Sequence, residues 1–232
     1  MTLTKAKFEF NVATVDDLRF IIYNEKEILQ SWLVLGKYYE KDMIEFIKDN
    51  YNGGTFIDVG ACIGTHTLPF SKLADEVYSF EPSNRFLTLL MNLELNKIKN
   101  VNTYNIALGN QEGVLKFYTD NQSASGGNID INGTEQVLVT KLDNFDIKNI
   151  VLIKIDVEGF ELEVLKGAER LIRENKPDMY IECATKEIYE SVCDFVNKLE
   201  CEYGILNNIF NNTPTFLFTT RQVEKLNGEK HD

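Results

Sequence analysis

Apolar and polar positions alternate with period two over Lys7–Val12 and again over Leu18–Tyr23, with Val15-Asp16-Asp17 between them. That pattern predicts a β-hairpin. From Ile28 to about Tyr51 the spacing becomes helical, and Ile28, Trp32, Leu35, Tyr39, Met43, Phe46 and Ile47 fall on one side, with Gly36 as an interruption. Beyond Gly53 the pattern changes to short apolar runs separated by amphipathic ones. Strands are predicted at Thr55–Val59, Val77–Phe80, Val101–Ile106, Ile150–Ile155 and Met179–Cys183, with helices near Ile63–Lys72, Asn84–Asn96, Glu161–Glu174 and Glu187–Glu200. Two closing strands, Tyr203–Leu206 and Phe216–Thr219, have no helix between them. The segment Gly109–Asn149 breaks the rhythm: Val114–Tyr118 and Gln136–Leu142 read as strands, and the polar stretch Asp120–Gly133 between them reads as a loop.

Alternating strands and helices, with strands apolar on both faces, predict a mainly parallel sheet covered on both sides. The expected architecture is α/β: seven strands, mostly parallel, ending in an antiparallel C-terminal hairpin. Residues 1–50 form an N-terminal extension of hairpin and helix, and residues 51–232 the main domain. A chain of 232 residues suits that plan.

Charge narrows the partners. Lys and Arg number 24 against 36 Asp and Glu, a net charge of -12. Such an excess repels phosphate backbones, so no nucleic-acid partner is expected. No apolar run approaches the roughly 18–20 residues of a membrane helix, and Met1–Phe10 has no signal-peptide pattern. Cytoplasmic location without membrane insertion is the expectation. Cys62, Cys183, Cys193 and Cys201 contain no C-x-x-C pair, and with His66 and His231 they do not give zinc spacing. Reduced, buried thiols are expected.

The chemistry sits at strand ends. Phe56-Ile57-Asp58-Val59-Gly60-Ala61-Cys62-Ile63-Gly64 is a strand followed by a glycine turn and a helix. A dinucleotide fingerprint would read G-x-G-x-x-G and would bring a pyrophosphate to the helix N-terminus. Here a carboxylate, Asp58, is added at the strand tip. Next to a pyrophosphate it would repel; next to an ammonium or sulfonium it attracts. The motif therefore favours a cationic nucleoside. Glu81, in Phe80-Glu81-Pro82, follows Asp58 by 23 residues, the spacing of an acid that binds ribose hydroxyls. Ala107, in Ile106-Ala107-Leu108-Gly109, is small enough to lie against an adenine ring. In Ile153-Lys154-Ile155-Asp156-Val157-Glu158-Gly159, three charges alternate with apolar residues, and period two places Lys154, Asp156 and Glu158 on one side of a straight strand. A buried strand carries such a row only as a paired network or as a site.

Together these segments resemble the FkbM-type methyltransferases: Asp58-x-Gly60-Ala61-x-Ile63-Gly64, Phe80-Glu81-Pro82, Ala107-Leu108-Gly109 and Ile153–Gly159 with Glu161, Leu165 and Gly167 after it. Gly36-Lys37-Tyr38-Tyr39-Glu40 and Tyr180-Ile181-Glu182 resemble the family's flanking segments. The resemblance implies a class I, Rossmann-like fold, S-adenosylmethionine as methyl donor with S-adenosylhomocysteine as product, and usually O-methylation of a hydroxyl on a sugar or secondary metabolite. It implies that Asp58, Gly60, Ala61, Gly64 and Thr65 surround the donor's amino-acid end. Glu81 and Pro82 would meet the ribose and Ala107 the adenine, with Tyr39 and Glu40 closing over the donor. Asp156 and Glu158 would face the acceptor. After Glu182 the chain reads Cys183-Ala184-Thr185, without the histidine of some relatives, which leaves the base open.

A hydroxyl acceptor profits from a base that removes its proton. Asp156 is the first candidate, touching both donor and acceptor, with Glu158 and Lys154 beside it. His66 is the second, since imidazole is basic at neutral pH. Ser125, Asn128 and Glu182 are candidate acceptor contacts. Asp156, Glu158 and Glu182 are also a set of hard oxygen ligands, but methyl transfer does not demand a metal and none is expected. A non-sugar acceptor, or an inactive binding protein with the same fold, is the alternative. The oligomeric state is open, a homodimer included.

Overall fold

The computed structural model describes residues 9–119, 127–206 and 214–221. The chain begins with the hairpin β1 (Asn11–Val15) and β2 (Leu18–Ile22), turning at Asp16-Asp17. The first strand thus lies later than the alternation over Lys7–Val12 suggested. Two helices follow where one was expected: α1 (Ile28–Val34) and α2 (Lys41–Asn50), separated by a turn at Gly36. The expected buried stripe is also displaced on α1. Ile28, Trp32 and Leu35 are exposed, whereas Leu29 and Leu33 are buried.

The main sheet comprises β3 (Thr55–Val59), β4 (Glu76–Phe80), β5 (Val101–Tyr104), β10 (Ile150–Ile155), β11 (Asp178–Glu182), β12 (Gly204–Leu206) and β13 (Thr215–Thr219). Their spatial order is β12-β13-β11-β10-β3-β4-β5, seven strands as expected. The pairs among β3, β4, β5, β10 and β11 are parallel, and β13 runs antiparallel between β11 and β12. This is the α/β methyltransferase-like architecture. Successive side chains of each strand feed opposite cores. Phe56, Val77, Leu152 and Tyr180 pack with Met43 and Ile47 of α2 on one face. Ile57, Val59, Ile153 and Ile155 pack on the other, under α5 (Glu161–Lys166), α6 (Glu169–Asn175) and α7 (Lys186–Lys198).

The single helix expected over Glu161–Glu174 is broken at Gly167. A Cβ there would lie 1.9 Å from the Gly109 carbonyl oxygen, so the close approach of these two loops requires a glycine. The helix expected over Ile63–Lys72 shrinks to α3 (Thr67–Phe70), because the glycine turn before it runs to Thr65. α4 (Arg85–Leu95) carries Leu89 and Leu93 into a third core, shared with Phe20, Ile22, Leu29 and Leu33 of the extension.

Between β5 and β10 the chain builds a second, four-stranded sheet, β6 (Ala107–Leu108), β7 (Gly113–Thr119), β8 (Gly127–Ile129) and β9 (Glu135–Thr140), in the order β6-β9-β7-β8. The expectation of a loop throughout Asp120–Gly133 is corrected here, since Gly127–Ile129 is a strand paired with Phe117–Thr119. No helix among the described residues is long and apolar enough to cross a membrane.

Candidate active site

Strand order reverses between β3 and β10, and in open α/β sheets the crevice outside the carboxyl ends of the strands at such a point binds ligands. A cleft of about 1020 Å³, counted to its open mouth, lies there. One wall comes from the turns after β3, β4 and β10, and another from Phe117, Gly127 and Ile129 of the second sheet. Leu29, Tyr39 and Glu40 of the N-terminal extension close a third side.

The turn after β3 is fixed by backbone geometry. Gly60 has φ +80°, and a Cβ on it would lie 1.8 Å from the Asp156 carbonyl oxygen. The Asp156 N–H donates to the Val59 carbonyl at 3.1 Å, and the Gly60 and Ala61 N–H groups donate to the Phe80 carbonyl at 3.0 and 3.1 Å. Three strand ends are thus tied into one floor. Glu81 braces it further, accepting from the Cys62 and Ser83 N–H groups, each at 2.8 Å. Burial pushes the Glu81 carboxyl above its ordinary range, against the hydrogen bonds from Ser83 and Cys62.

Beneath the floor lies a charged pair. Asp58 and Lys154 face each other in register across β3 and β10. Asp58 is fully buried, accepts from Thr67 Oγ1 at 2.6 Å and has Lys154 Nζ at 3.6 Å. Lys154 Nζ also lies 3.2 Å from Asp156 Oδ2 and donates to the Gly60 carbonyl at 3.2 Å. Burial alone would discharge this ammonium, but Asp156, Asp58 and Glu40 outweigh it and hold the proton more firmly than usual.

Asp58 does not itself line the cleft. It belongs to β3, points into the layer covered by α3, and acts on the cleft through Lys154. Ala61 and Gly64 do not line the cleft either. Gly64 is pressed between Leu68 and Leu89, each 2.7 Å from where a Cβ would stand. Asn128 lies in β8 between two lining residues without lining the cleft itself, and Ser125 falls outside the described residues. The other candidates, Tyr39, Glu40, Gly60, Thr65, His66, Glu81, Pro82, Ala107, Lys154, Asp156, Glu158 and Glu182, all line it.

At the end of β10 the row of alternating charges bends. The strand stops at Ile155, and Glu158 adopts φ 56°, in the left-handed region. Glu161 organises this loop, accepting from the Gly159 N–H at 2.9 Å and the Val157 N–H at 3.3 Å. The bend brings carboxylate oxygens of Asp156, Glu158 and Glu182 within 4.8 Å of one another. Such a group offers hard oxygen ligands, yet two of its members already have other electrostatic work. Asp156 pairs with Lys154, and burial, followed by the Asp156 charge, drives Glu182 far above the carboxylate range. The folded protein therefore holds a proton on Glu182 that the unfolded chain releases above the ordinary value of 4.5. Stability contributed by this group falls as pH rises beyond that value. Glu182→Gln should flatten this slope, making the variant relatively more stable at about pH 8 than at about pH 6 in denaturant titrations. Parallel profiles for variant and wild type would mean that Glu182 ionises normally.

His66 lies with Nε2 3.0 Å from Glu40 Oε2, both side chains nearly buried. Cys62, Phe117, Ile129 and Phe160 also line the cleft, and none was a site candidate from the sequence. Cys62 was legible in principle, as the variable position of the glycine turn. The others are apolar residues that pattern alone assigns to a core.

A family model, the methyltransferase FkbM domain, matches residues 58–205. Methyltransferase 1 of Beauveria bassiana is 25% identical over 175 residues, covering 62% of this chain and 68% of that protein. The hexuronic acid methyltransferase AglP of Haloferax volcanii is 27% identical over 155 residues, covering 64% of this chain and 63% of its own length. The crystal structure of an FkbM methyltransferase from Methylobacillus flagellatus superposes with a TM-score of 0.57 at 21% identity, covering 72% of this chain and 43% of that one. The chain thus spans about two thirds of the curated relatives and under half of that structure's chain. With the family model running from the strand that carries Asp58 through β12, the chain belongs to the FkbM methyltransferase domain family.

Proposed function

We propose that the chain transfers a methyl group from S-adenosylmethionine to a hydroxyl of a sugar, on a glycan or a glycosylated metabolite. The observation that carries this reading is the polarity of the cleft. Its lining combines apolar Ile106, Ala107, Leu108 and Phe160 with acidic Glu40, Asp156 and Glu158. A ligand with a flat base and a positive charge fits such a lining. Gly60 and Thr65 would hold the donor's amino-acid part together with Tyr39 and Glu40, Glu81 and Pro82 its ribose, and Ala107 its adenine. When bound, the donor supplies an electrophilic methyl group on a sulfonium.

The residues of the chain do the rest. Asp156 accepts the hydroxyl proton of the acceptor, and Lys154 beside it keeps the aspartate in place. Tyr39, whose phenol is held protonated by burial and by the nearby carboxylates of Glu40, Asp156 and Glu158, remains a hydrogen-bond donor. Glu182 and Glu158 offer acceptors to neighbouring sugar hydroxyls. Alignment of acceptor oxygen and methyl supplies about 7–11 kcal/mol in such reactions. A sugar acceptor is supported by the hexuronic acid specificity named for the Haloferax relative, and the net charge of -12 disfavours nucleic acid.

The test is a screen of uronic acids, neutral sugars and nucleotide-sugars with S-adenosylmethionine, read by mass spectrometry. A donor-dependent gain of one methyl group on a sugar is expected. Methylation confined to non-sugar hydroxyls would overturn the acceptor class. Absence of calorimetric binding to S-adenosylhomocysteine would overturn the donor.

A further inference from the structure

Arg85, the first residue of α4, is 4% exposed. A cation at a helix N-terminus meets the positive end of the helix dipole, and a buried guanidinium is costly unless paired. Both local terms oppose its placement, so its contacts must supply the compensation. They converge on the donor side of the cleft. Arg85 Nη1 donates to Cys62 Sγ at 3.4 Å, and the Arg85 N–H donates to Ser83 Oγ at 3.2 Å. Cys62 and Ser83 are the two residues whose N–H groups hold the Glu81 carboxylate. Cys62 has φ 53°, a left-handed conformation that a non-glycine residue keeps only where its surroundings over-determine it.

A carboxylate beside the same guanidinium nitrogen comes from outside the segment matched by the family model. Glu27 is 1% exposed, and its Oε1 lies 3.8 Å from Arg85 Nη1. The same carboxylate caps α1, accepting from the Leu29 and Gln30 N–H groups, each at 3.0 Å. Leu29 in turn lines the cleft. One buried carboxylate therefore couples the start of the N-terminal helix to the wall that carries Glu81.

We propose that Glu27 and Arg85 are positioning residues of the nucleoside-binding wall. The N-terminal extension supplies the counter-charge that lets Arg85 stay buried, and the Arg85 guanidinium holds Cys62, whose N–H donates to Glu81, in the arrangement that receives the donor. The inference rests on the donor reading above.

Calorimetric titration of the full chain with S-adenosylhomocysteine, performed well below the melting temperature of each variant, tests it. Glu27→Gln keeps the size of the side chain and one of its two capping oxygens and removes the charge. It is expected to weaken binding about tenfold, the scale of about 1.4 kcal/mol lost from one buried charge pair. Arg85→Met should weaken binding at least as much. Arg85→Lys, which restores the charge without the planar fork, should recover part of the loss. Should Glu27→Gln fail to fold, the Arg85→Lys and Arg85→Met pair gives the same comparison. Variants that melt earlier but bind with wild-type affinity would overturn the inference and reduce the contact to a structural one. A wild-type chain that does not bind S-adenosylhomocysteine would overturn the donor reading and this inference with it.

Discussion

Asp156→Asn is expected to lower the rate of methyl transfer about 10²–10⁴-fold, the usual cost of a lost general base, with affinity for S-adenosylhomocysteine changed no more than about twofold. Asparagine keeps the shape and can still accept from Lys154, whose Nζ lies 3.2 Å from the Asp156 carboxylate, so the backbone tie from the Asp156 N–H to Val59 survives. What is lost is the capacity to take a proton. Single-turnover kinetics would separate this from slow product release. His66 is the contrasting case. Its Nε2 is engaged with Glu40, so His66→Asn should lower the rate less than Asp156→Asn. A wild-type rate in Asp156→Asn would remove Asp156 from the role of base.

Lys154→Met is expected to destabilise the fold by about 3–5 kcal/mol, the scale for breaking one side of a buried ion pair. The residue is only 3% exposed, so solvent screening offers little relief. The variant leaves Asp58 fully buried with Thr67 as hydrogen-bond donor but without its cation. Adding Asp58→Asn in the same chain should recover part of the loss, which a double-mutant cycle in denaturant would measure. A loss below about 1 kcal/mol would mean that the pair is not what stabilises the layer under the floor.

Which parts were legible from sequence follows from the same physics. The main strands show as apolar runs because β3, β10 and β11 are buried on both faces, and Glu81, Asp156 and Glu182 stand out as charges at the ends of such runs. The glycine turn is legible because few residues but glycine adopt φ +80° at Gly60. Asp58 was legible as an unusual acid, but periodicity does not say whether it points up into the cleft or sideways into a layer, and the structure chose the layer. On α1 the stripe was misplaced because the buried face contains Gln30, with the buried Glu27 capping it. Polar residues whose partners lie elsewhere in the chain leave no hydrophobic signal. Arg85 escaped notice for the same reason. β8 was hidden because Gly127-Asn128-Ile129 has the composition of a turn, and only pairing with Phe117–Thr119 makes it a strand.

The backbone contact between Gly60 and Asp156 has an evolutionary consequence. The turn that would hold the donor and the residue that would take the proton touch through main-chain atoms, so neither can drift without carrying the other. Room for diversification lies across the cleft, in the second sheet, where Phe117 and Ile129 line it from strands that are not part of the central sheet.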